Sequence, residues 1–357
     1  MVEFIGHGMT NSFDRMRSAP FDHSYTREVV AAFESNNWDS VLFQYDSFTA
    51  DPSVAAAYAA VHTERLNIVV AVRPNTCAPT YMAKVMATLD VLTQGRMRLH
   101  VVAGGYSASQ AAEGDFLDKH QRYERVAEFI DLCRHVWRER RPFNYSGEHY
   151  RVENFLANIR CVDERGLMVS TGGSSDDSLR IAARHSDRHA VWALPYAQTE
   201  NMIDTIREHC RRIGRPQLPS IQMQFRCILG RTRAEARAKA VRMLDAMRAE
   251  LGGRVADRVP QTGGEVRARE VLDLGEWHDE CFWAGPVFET GGLGSSTVLV
   301  GTAEEVAAAL CHYAKLGVDA FSFSGYDTVP DAVEFGRTVI PLVKAAADSE
   351  DRWRGPR

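Results

Sequence analysis

Two glycines and two serines stand together where a strand-type sequence gives way to a helix-type sequence. The apolar run Leu167-Met-Val-Ser-Thr171 continues into Gly172-Gly-Ser-Ser175, and a helical pattern follows over residues 177–185. Glycines let a ligand approach the backbone closely, while serine hydroxyls and the free N–H groups of a helix's first turn donate hydrogen bonds toward one point. The loop therefore suits a phosphate group. Because serine is also a good N-cap residue, a plain capped turn is the competing interpretation.

Length and composition limit the class of protein. The chain has 357 residues, of which 45% are hydrophobic and 25% charged, values typical of a globular protein. This length accommodates one α/β barrel or two average domains. The net charge of −5 provides no basic face, so we expect no nucleic-acid partner. The sequence has no signal-peptide core and no membrane-spanning apolar run, so we expect a cytoplasmic protein without a membrane association.

Cysteine and histidine spacing gives no metal-binding pattern. The seven cysteines are widely spread and include no C-x-x-C pair, which favours reduced thiols and argues against a zinc site. His185 and His189 are four residues apart, but the helix-type pattern ends between them. We interpret them as surface histidines and predict no metal site.

Strand-type and helix-type runs alternate along most of the chain. Eight strand-type runs begin near residues 2, 40, 66, 97, 167, 188, 221 and 318, and each is followed by a helix-type run. No G-x-G-x-x-G motif follows the first strand. Eight such units without an internal repeat predict an α/β fold of the (β/α)8 TIM-barrel type, as one domain over residues 1–357.

Two stretches interrupt this alternation. Residues 141–165 contain the run Phe143-Asn-Tyr-Ser-Gly147 and predict a small hairpin inserted at the surface. Residues 252–296 are rich in charge and glycine and too long for an ordinary connection. We interpret this second stretch as an irregular, mobile lid or insertion.

A barrel brings residues from distant parts of the sequence to one mouth. The active site of such a fold is formed by the loops at the carboxyl ends of the strands. The side chains expected at this mouth are His7, residues 44–49, Arg73, residues 103–106, residues 171–175, Trp192, Arg226 and residues 324–326.

Several short motifs in fixed order carry a family resemblance. They are Ala71-Val-Arg-Pro74, Thr88-Leu-Asp90 with Gly95-Arg96, Phe116-Leu-Asp118 with Arg122-Tyr-Glu124, Gly172-Gly-Ser-Ser175, Phe282-Trp-Ala-Gly285 and Ser324-Gly-Tyr326. Together they resemble the FMNH2-dependent alkanesulfonate monooxygenases of the bacterial luciferase-like superfamily, over about residues 4–343. The resemblance implies a barrel that receives reduced FMN from a separate NAD(P)H-dependent FMN reductase. It also implies that a peroxyflavin formed with O2 cleaves a carbon–sulfur bond, giving an aldehyde and sulfite.

The same resemblance assigns the cofactor site. It places the flavin phosphate on Gly173, Ser174, Ser175 and Tyr123. It places the isoalloxazine ring near Val102, Ala103 and Gly104. The phosphate assignment agrees with the separate argument from the glycine and serine chemistry of the loop. For Tyr123, packing at the start of the long helix is the alternative role.

Further residues are assigned to catalysis and to the substrate. Tyr326 matches a tyrosine that faces the reaction centre, where its hydroxyl would bond to the peroxyflavin or to the acidic group of the substrate. Filling of the barrel mouth is its alternative role. His7, Trp192 and Gln224 are expected in the substrate pocket because they lie at strand ends, with Trp192 as a wall.

Three departures from the family pattern affect the expected substrate. Gln224-Phe-Arg226 replaces an Arg-x-His pair, and Thr49 stands where the family has a cysteine. Glu289 stands where the mobile loop normally carries an arginine. Arg226 cannot act as a base but offers a fixed cation for a sulfonate or carboxylate, a salt bridge at the mouth being its alternative role. Tyr326, Arg226 and Thr49 are thus the catalytic candidates, and we expect a substrate less anionic or larger than a short alkanesulfonate.

Two other functions remain open. Related barrels use the deazaflavin F420, so an F420-dependent oxidoreductase is the first alternative. A catalytically silent flavin-binding barrel is the second, because the family histidine is absent. The resemblance also implies a homodimer or homotetramer.

Overall fold

The computed structural model of the chain describes residues 2–11, 21–251, 259–292 and 297–349. Its strands are β1 (Glu3–Gly8), β2 (Ser40–Phe43), β3 (Asn67–Val72), β4 (Met97–Val101), β5 (Phe143–Ser146), β6 (Arg151–Phe155), β7 (Val169–Gly172), β8 (Arg188–Trp192), β9 (Ser220–Leu229), β10 (Trp277–His278), β11 (Phe282–Trp283), β12 (Val298–Gly301) and β13 (Val318–Phe323).

The helices mostly follow the strands in turn. They are α1 (His23–Ser35), α2 (Pro52–Ala60), α3 (Pro79–Leu92), α4 (Ser107–Ala112), α5 (Lys119–Arg138), α6 (Asp176–His185), α7 (Tyr196–Arg212), α8 (Arg233–Leu251), α9 (Gly263–Leu274), α10 (Gly285–Thr290), α11 (Ala303–Leu316), α12 (Thr328–Thr338) and α13 (Ile340–Ser349). None of the helices in the described ranges is both long enough and apolar enough to cross a membrane.

Eight parallel strands close into a barrel. Their order is β1-β2-β3-β4-β7-β8-β9-β13, and β13 pairs with β1 to complete the ring. The predicted (β/α)8 TIM-type fold is therefore confirmed. Parallel strands covered by helices on the outside and filled by side chains on the inside read as nearly continuous apolar runs, which is why the sequence pattern was informative.

Alternate residues of each strand face opposite sides of the barrel wall. Phe4, Val41 and Ile68 belong to the large core between strands and helices. Ile5, Leu42, Val69, Ala71 and Ala320 form a separate cluster with the opposite parity along their strands. This smaller cluster fills the middle of the barrel interior, with polar side chains at either end of it.

The end of the chain differs from the sequence prediction. One helix-type run was expected after the eighth strand-type run, but α12 ends and α13 begins on either side of Val339. Pro341 explains the break, because proline lacks the N–H for a helical hydrogen bond and disfavours helical geometry in the residue before it.

The stretch 252–296 also differs from its prediction. Residues 252–258 and 293–296 lie outside the described residues, but the part between them holds α9, the β10–β11 hairpin and α10. The prediction of irregular structure is therefore wrong for residues 259–292, while mobility stays a prediction. The following strand β12 extends the sheet by pairing in parallel with the second half of β9.

The other insertion forms a separate two-stranded sheet. Strands β5 and β6, within residues 141–165, pair in antiparallel fashion. Its aromatic residues pack on α5, where Phe129 lies 6.2 Å from Tyr150 between ring centroids. The seven cysteines are free thiols.

Candidate active site

The glycine–serine loop joins β7 to α6 at the carboxyl end of the barrel. Gly173 has φ +134°, a backbone conformation that glycine adopts without strain. Ser175 is the N-cap of α6, yet its side chain makes no capping hydrogen bond. Its Oγ is buried and has no partner within the described chain. The geometry is therefore not that of a plain capped turn, and it leaves donors available for a ligand.

Tyr123 of α5 reaches the same loop. A Cβ atom built on Gly173 would lie 2.8 Å from the Tyr123 hydroxyl oxygen and 2.6 Å from Ser178 Oγ. A side chain at position 173 would therefore fill the space in front of that hydroxyl. The structure thus brings together Tyr123, Gly173, Ser174 and Ser175, the residues assigned to the flavin phosphate.

Acidic residues follow the loop directly, but they turn away from it. Asp176 pairs with His209 at 2.9 Å, and its side chain is 78% exposed. Asp177 pairs with His120 at 3.1 Å and with Arg180 at 3.4 Å. Both carboxylates are therefore compatible with an anion at the loop, while they remain favourable for the helix dipole.

His189 supports the loop from below. It is fully buried, so its interpretation as a surface histidine is wrong. Its Nε2 lies 2.8 Å from the Gly173 carbonyl oxygen and its Nδ1 lies 3.0 Å from the Thr171 hydroxyl. Because a carbonyl only accepts, Nε2 carries the hydrogen. Burial lowers the pKa of His189 to about 4, which keeps the imidazole neutral in this role.

His7 lies at the mouth end of β1 and is only 2% exposed. Its Nδ1 lies 2.9 Å from the Gln44 amide nitrogen and 2.7 Å from Ser324 Oγ. With two donors at Nδ1, the hydrogen sits on Nε2, which is buried and has no partner among the described residues. Burial first, and then the charges of Arg226 and His100, lower the pKa of His7 to about 3. The imidazole is thus a neutral donor.

Arg226 and Tyr326 form the second group of predicted residues. The guanidinium carbon of Arg226 lies 4.9 Å from the ring centroid of Tyr326, and Nη1 donates to the Gly325 carbonyl at 3.2 Å. This is a cation–π contact. Tyr326 is 37% exposed, and burial of its titrating end raises the pKa of the hydroxyl to about 12. The hydroxyl is therefore protonated, and can donate, at any ordinary pH.

A cavity of about 220 Å³ opens beside Tyr326. It lies between the ends of β9 and β13 and the helices α1, α8 and α12. Trp38, Met243 and Phe335 contribute to its apolar walls, and Lys239 and Asp331 are among its polar residues. The Arg226–Tyr326 pair therefore has an apolar space next to it.

The remaining predicted residues differ in their surroundings. Val102 and Ala103 follow β4, and a Cβ atom on Gly104 would collide with the side chain of Gln110. Trp192, at the end of β8, is covered by α9, because a Cβ atom on Gly264 would lie 2.5 Å from its ring.

Two predicted residues make less of a contribution to this geometry. Thr49 is exposed in a turn and makes no side-chain hydrogen bond in the described ranges, so the structure does not bring it to the other residues. Gln224 is half-buried, and its backbone carbonyl accepts a hydrogen bond from the backbone N–H of Ala193 at 2.9 Å.

Two charged residues expected near the mouth are engaged elsewhere. Arg73 donates to Glu113 at 2.9 Å and to Ser47 at 2.8 Å, so it holds neighbouring loops together. Glu289 is buried and pairs with Arg248. No local pattern in the sequence indicates this partner on α8.

Sequence reasoning missed Arg267 of α9, whose Nε donates to the Ser174 carbonyl at 3.1 Å. This contact spans 93 residues, and no local pattern signals it. One group among the described residues has metal-ligand spacing, namely Glu124, Glu148 and His149, with ligand atoms within 4.8 Å of one another. Glu148 is exposed, and exposed carboxylates cluster without an ion in many proteins, so the cluster does not establish a metal site.

Comparison with known proteins places this arrangement in a wider group. The family model described as luciferase-like monooxygenase matches residues 5–320. A riboflavin lyase, solved with modified FMN and riboflavin, has a TM-score of 0.77 at 18% identity, covering 100% of this chain and 94% of its own. EDTA monooxygenase from Chelativorans sp. BNC1 has a TM-score of 0.77 at 17% identity, with 97% and 94% covered. An F420-dependent secondary alcohol dehydrogenase has 0.72 at 16%, with 96% and 99% covered. At these identities the solved structures establish a shared fold.

Proposed function

Because the chain belongs to the luciferase-like monooxygenase family, we propose that it is a two-component flavin monooxygenase that acts on a small organosulfur substrate. A separate NAD(P)H-dependent reductase would supply reduced FMN, and a homodimer or homotetramer is the proposed assembly. When bound, reduced FMN would supply the electrons that activate O2. The protein's own part is to hold the cofactor, orient the substrate and limit access of water.

The observation that carries this proposal is the glycine–serine loop. Gly173 leaves room in front of the Tyr123 hydroxyl, and the buried Ser175 Oγ has no partner in the described structure. The first turn of α6 adds N–H groups that no side chain caps. These donors suit the terminal phosphate of FMN, because a phosphate accepts hydrogen bonds. Each hydrogen bond to such a charged group contributes about 1.5–3 kcal/mol.

The substrate class follows from the charges beside the cavity. Arg226 is a fixed cation, held by the Tyr326 ring and the Gly325 carbonyl. Glu289 replaces the loop arginine of the family pattern, and its pairing with Arg248 turns its charge toward α8. The cation of Arg226, beside an apolar cavity of about 220 Å³ that Lys239 also lines, favours a substrate with an acidic group and a sizeable apolar part. Short alkanesulfonates are then poor substrates.

A substrate screen tests the proposal. Reduced FMN from a separate reductase, with O2, should give oxidised product from larger organosulfur compounds and little from short alkanesulfonates. Arg226→Ala should raise KM for acidic substrates about ten- to a hundred-fold and leave uncharged sulfones unaffected. Arg231→Ala is the matched control, because Arg231 is exposed and, among the described residues, forms an ion pair with Glu235 alone, at 3.2 Å. Efficient turnover of short alkanesulfonates that is insensitive to Arg226→Ala would refute the substrate class but leave the flavin assignment standing.

An F420-dependent oxidoreductase is the second candidate, favoured by the similarity to the F420-dependent dehydrogenase. Reduced F420 should then transfer hydride without O2, while FMN and O2 give no product. FMN binding without product from either cofactor would instead indicate a silent flavin-binding barrel.

A further inference from the structure

Helix α9 lies across the glycine–serine loop at very close range. A Cβ atom on Gly263 would be 3.0 Å from the Ser175 backbone nitrogen and 3.2 Å from the Ser174 carbonyl carbon. The first turn of α9 therefore packs backbone to backbone on the first turn of α6. Thr262 is the N-cap of α9, so two helix N-termini meet at this loop.

Arg267 follows one turn later on the same helix. Its Nε donates to the Ser174 carbonyl at 3.1 Å, and within the described ranges the side chain has no other hydrogen bond or ion pair. Arg267 lines a small cleft together with Ser174, Trp192 and Gly264. The terminal nitrogens of this guanidinium therefore make no hydrogen bond to any described residue beside the loop.

Positive charge and hydrogen-bond donors come together at this contact. Two helix N-termini each present positive partial charge, and Arg267 adds a full positive charge. Ser174 is 7% exposed and its hydroxyl makes no hydrogen bond in the part of the chain that the structure describes. The carboxylate of Glu265 accepts from the N–H groups of Gln261 and Thr262 at its Oε2 and from the Tyr106 hydroxyl at its Oε1. It is thus engaged by its own helix cap and by Tyr106.

We propose that α9 forms the second half of the phosphate site, with Arg267 donating to the phosphate from the side opposite Tyr123. The inference rests on the proposed function, because it concerns the same cofactor. A phosphate held by the loop and by Arg267 would tie α9 to the loop, across the barrel mouth and over Trp192. A flavin without phosphate would leave α9 without this anchor, so Arg267 determines the preference for FMN over riboflavin.

Binding titrations with oxidised FMN and riboflavin test the inference. Arg267→Gln should weaken FMN about ten- to a hundred-fold and leave riboflavin unchanged, because only FMN carries the phosphate. Arg267→Lys should restore part of the preference through its charge. Arg269→Gln is the matched control: it removes the same charge from α9, but Arg269 donates to the Gly291 carbonyl at 3.0 Å. Unchanged riboflavin binding also shows that each variant is folded.

Limited proteolysis provides a second measurement. FMN should slow cleavage within residues 259–292 in the wild type, and should slow it much less in Arg267→Gln. Riboflavin should protect neither.

The possible outcomes separate the inference from the proposed function. Equal binding of FMN and riboflavin by the wild type would refute the phosphate assignment itself. A wild-type preference for FMN that Arg267→Gln retains would overturn the role of Arg267 while the phosphate loop stands. Equal losses in Arg267→Gln and Arg269→Gln would also overturn it, since the effect would then be the general charge of α9.

Discussion

The two ends of the barrel interior use polar side chains in opposite ways. At the amino ends of the strands, Glu3 accepts from Arg98, Arg188 and Ser40, and Arg188 also donates to Ser220 at 2.8 Å. At the carboxyl ends, Nε2 of His7 and Oγ of Ser175 are buried without partners among the described residues. The amino end of the barrel, here called the floor, thus satisfies its own polar groups and stabilises the fold. The carboxyl end, or mouth, keeps donors for a ligand.

Removing the acid at the floor should have the largest effect on stability. Glu3→Gln leaves Arg98 and Arg188 in a largely buried place without their counter-charge, so the free energy of unfolding should fall by about 3–5 kcal/mol. Urea unfolding at pH 7 measures it. Glu164→Gln is the control, because this glutamate is 88% exposed in its pair with Arg140. That exposed pair should contribute less than about 1 kcal/mol. A loss at Glu3 no larger than the loss at Glu164 would contradict the comparison.

The stabilisation of the fold by ionised Glu3 is present only in a defined pH range. Burial would raise the pKa of Glu3, but the charges of Arg188 and Arg98 and the hydrogen bonds from Arg188 and Ser40 hold it below its usual value. A lowered folded-state pKa means that the stabilisation is present above the unfolded pKa, about 4.3 for glutamate, and is lost as the pH falls through the folded pKa. The difference between wild type and Glu3→Gln should therefore shrink only in that acidic range.

The contribution of the neutral histidines at the mouth to the free energy of unfolding should be lost at a higher pH than the contribution of Glu3 at the floor. Burial lowers the pKa of His7 to about 3 and that of His189 to about 4. Unfolded histidine binds a proton near pH 6.5, so stability is fully present above about pH 6.5 and falls as the pH drops toward 4. A shift of this size corresponds to about 3 kcal/mol for His189.

His189→Gln tests this expectation through the slope of stability against pH. Urea unfolding between pH 7.5 and 4.5 should give a shallower slope in the variant, by about one proton. Lost contacts to Gly173 and Thr171 lower the stability of the variant at every pH, so the slope and not the absolute value is diagnostic. An unchanged slope would show that His189 protonates in the folded protein.

Removing a donor at the mouth should affect binding and not stability. Ser175→Ala deletes a hydroxyl without a partner in the described chain, so the unfolding free energy should change by less than about 0.5 kcal/mol. FMN affinity should fall about ten- to a hundred-fold, as it should for Ser174→Ala, while riboflavin binding stays unchanged. Ser186→Ala is the contrasting control: its Oγ bonds to Thr171 at 2.6 Å, so it should lose stability and keep FMN. The reverse pattern would remove the distinction between floor and mouth.

Most of the fold could be predicted from the sequence because its signals are local. Proline at the starts of α2 and α3 and the apolar run of β3 fix where those elements lie. Helix α9 also has a local signal in the sequence, since Thr262 and Glu265 form a capping box. Strand β12 is only four residues long and is defined by its pairing with β9. No local pattern predicts that pairing.

The candidate site divides in the same way. The chemistry of Gly173, Ser174 and Ser175 is local, so it can be predicted from the sequence. The burial of His189 and the contact of Arg267 with Ser174 depend on how distant elements pack. For this reason the burial of His189 was predicted wrongly, and the contact of Arg267 was not predicted. The same holds at the floor, where Glu3 and Arg188 are 185 residues apart.

Substitution of Tyr326 should have the smallest effect on stability. It also distinguishes the two predicted roles of this residue, a hydrogen bond at the reaction centre and filling of the barrel mouth. Its hydroxyl makes no hydrogen bond with the described residues, and the contact of Arg226 is with the ring, which phenylalanine retains. Tyr326→Phe should therefore leave the unfolding free energy within about 0.5 kcal/mol of the wild type. If the hydroxyl donates to the reacting groups, turnover should fall about a hundred-fold while FMN affinity is unchanged. Tyr313→Phe is the matched control, because that hydroxyl donates to the Leu194 carbonyl at 2.8 Å in the core, so the loss should appear in stability alone. Unchanged turnover in Tyr326→Phe would mean that this residue only fills the mouth, and that the donors used in catalysis lie elsewhere, with His7 the first to test.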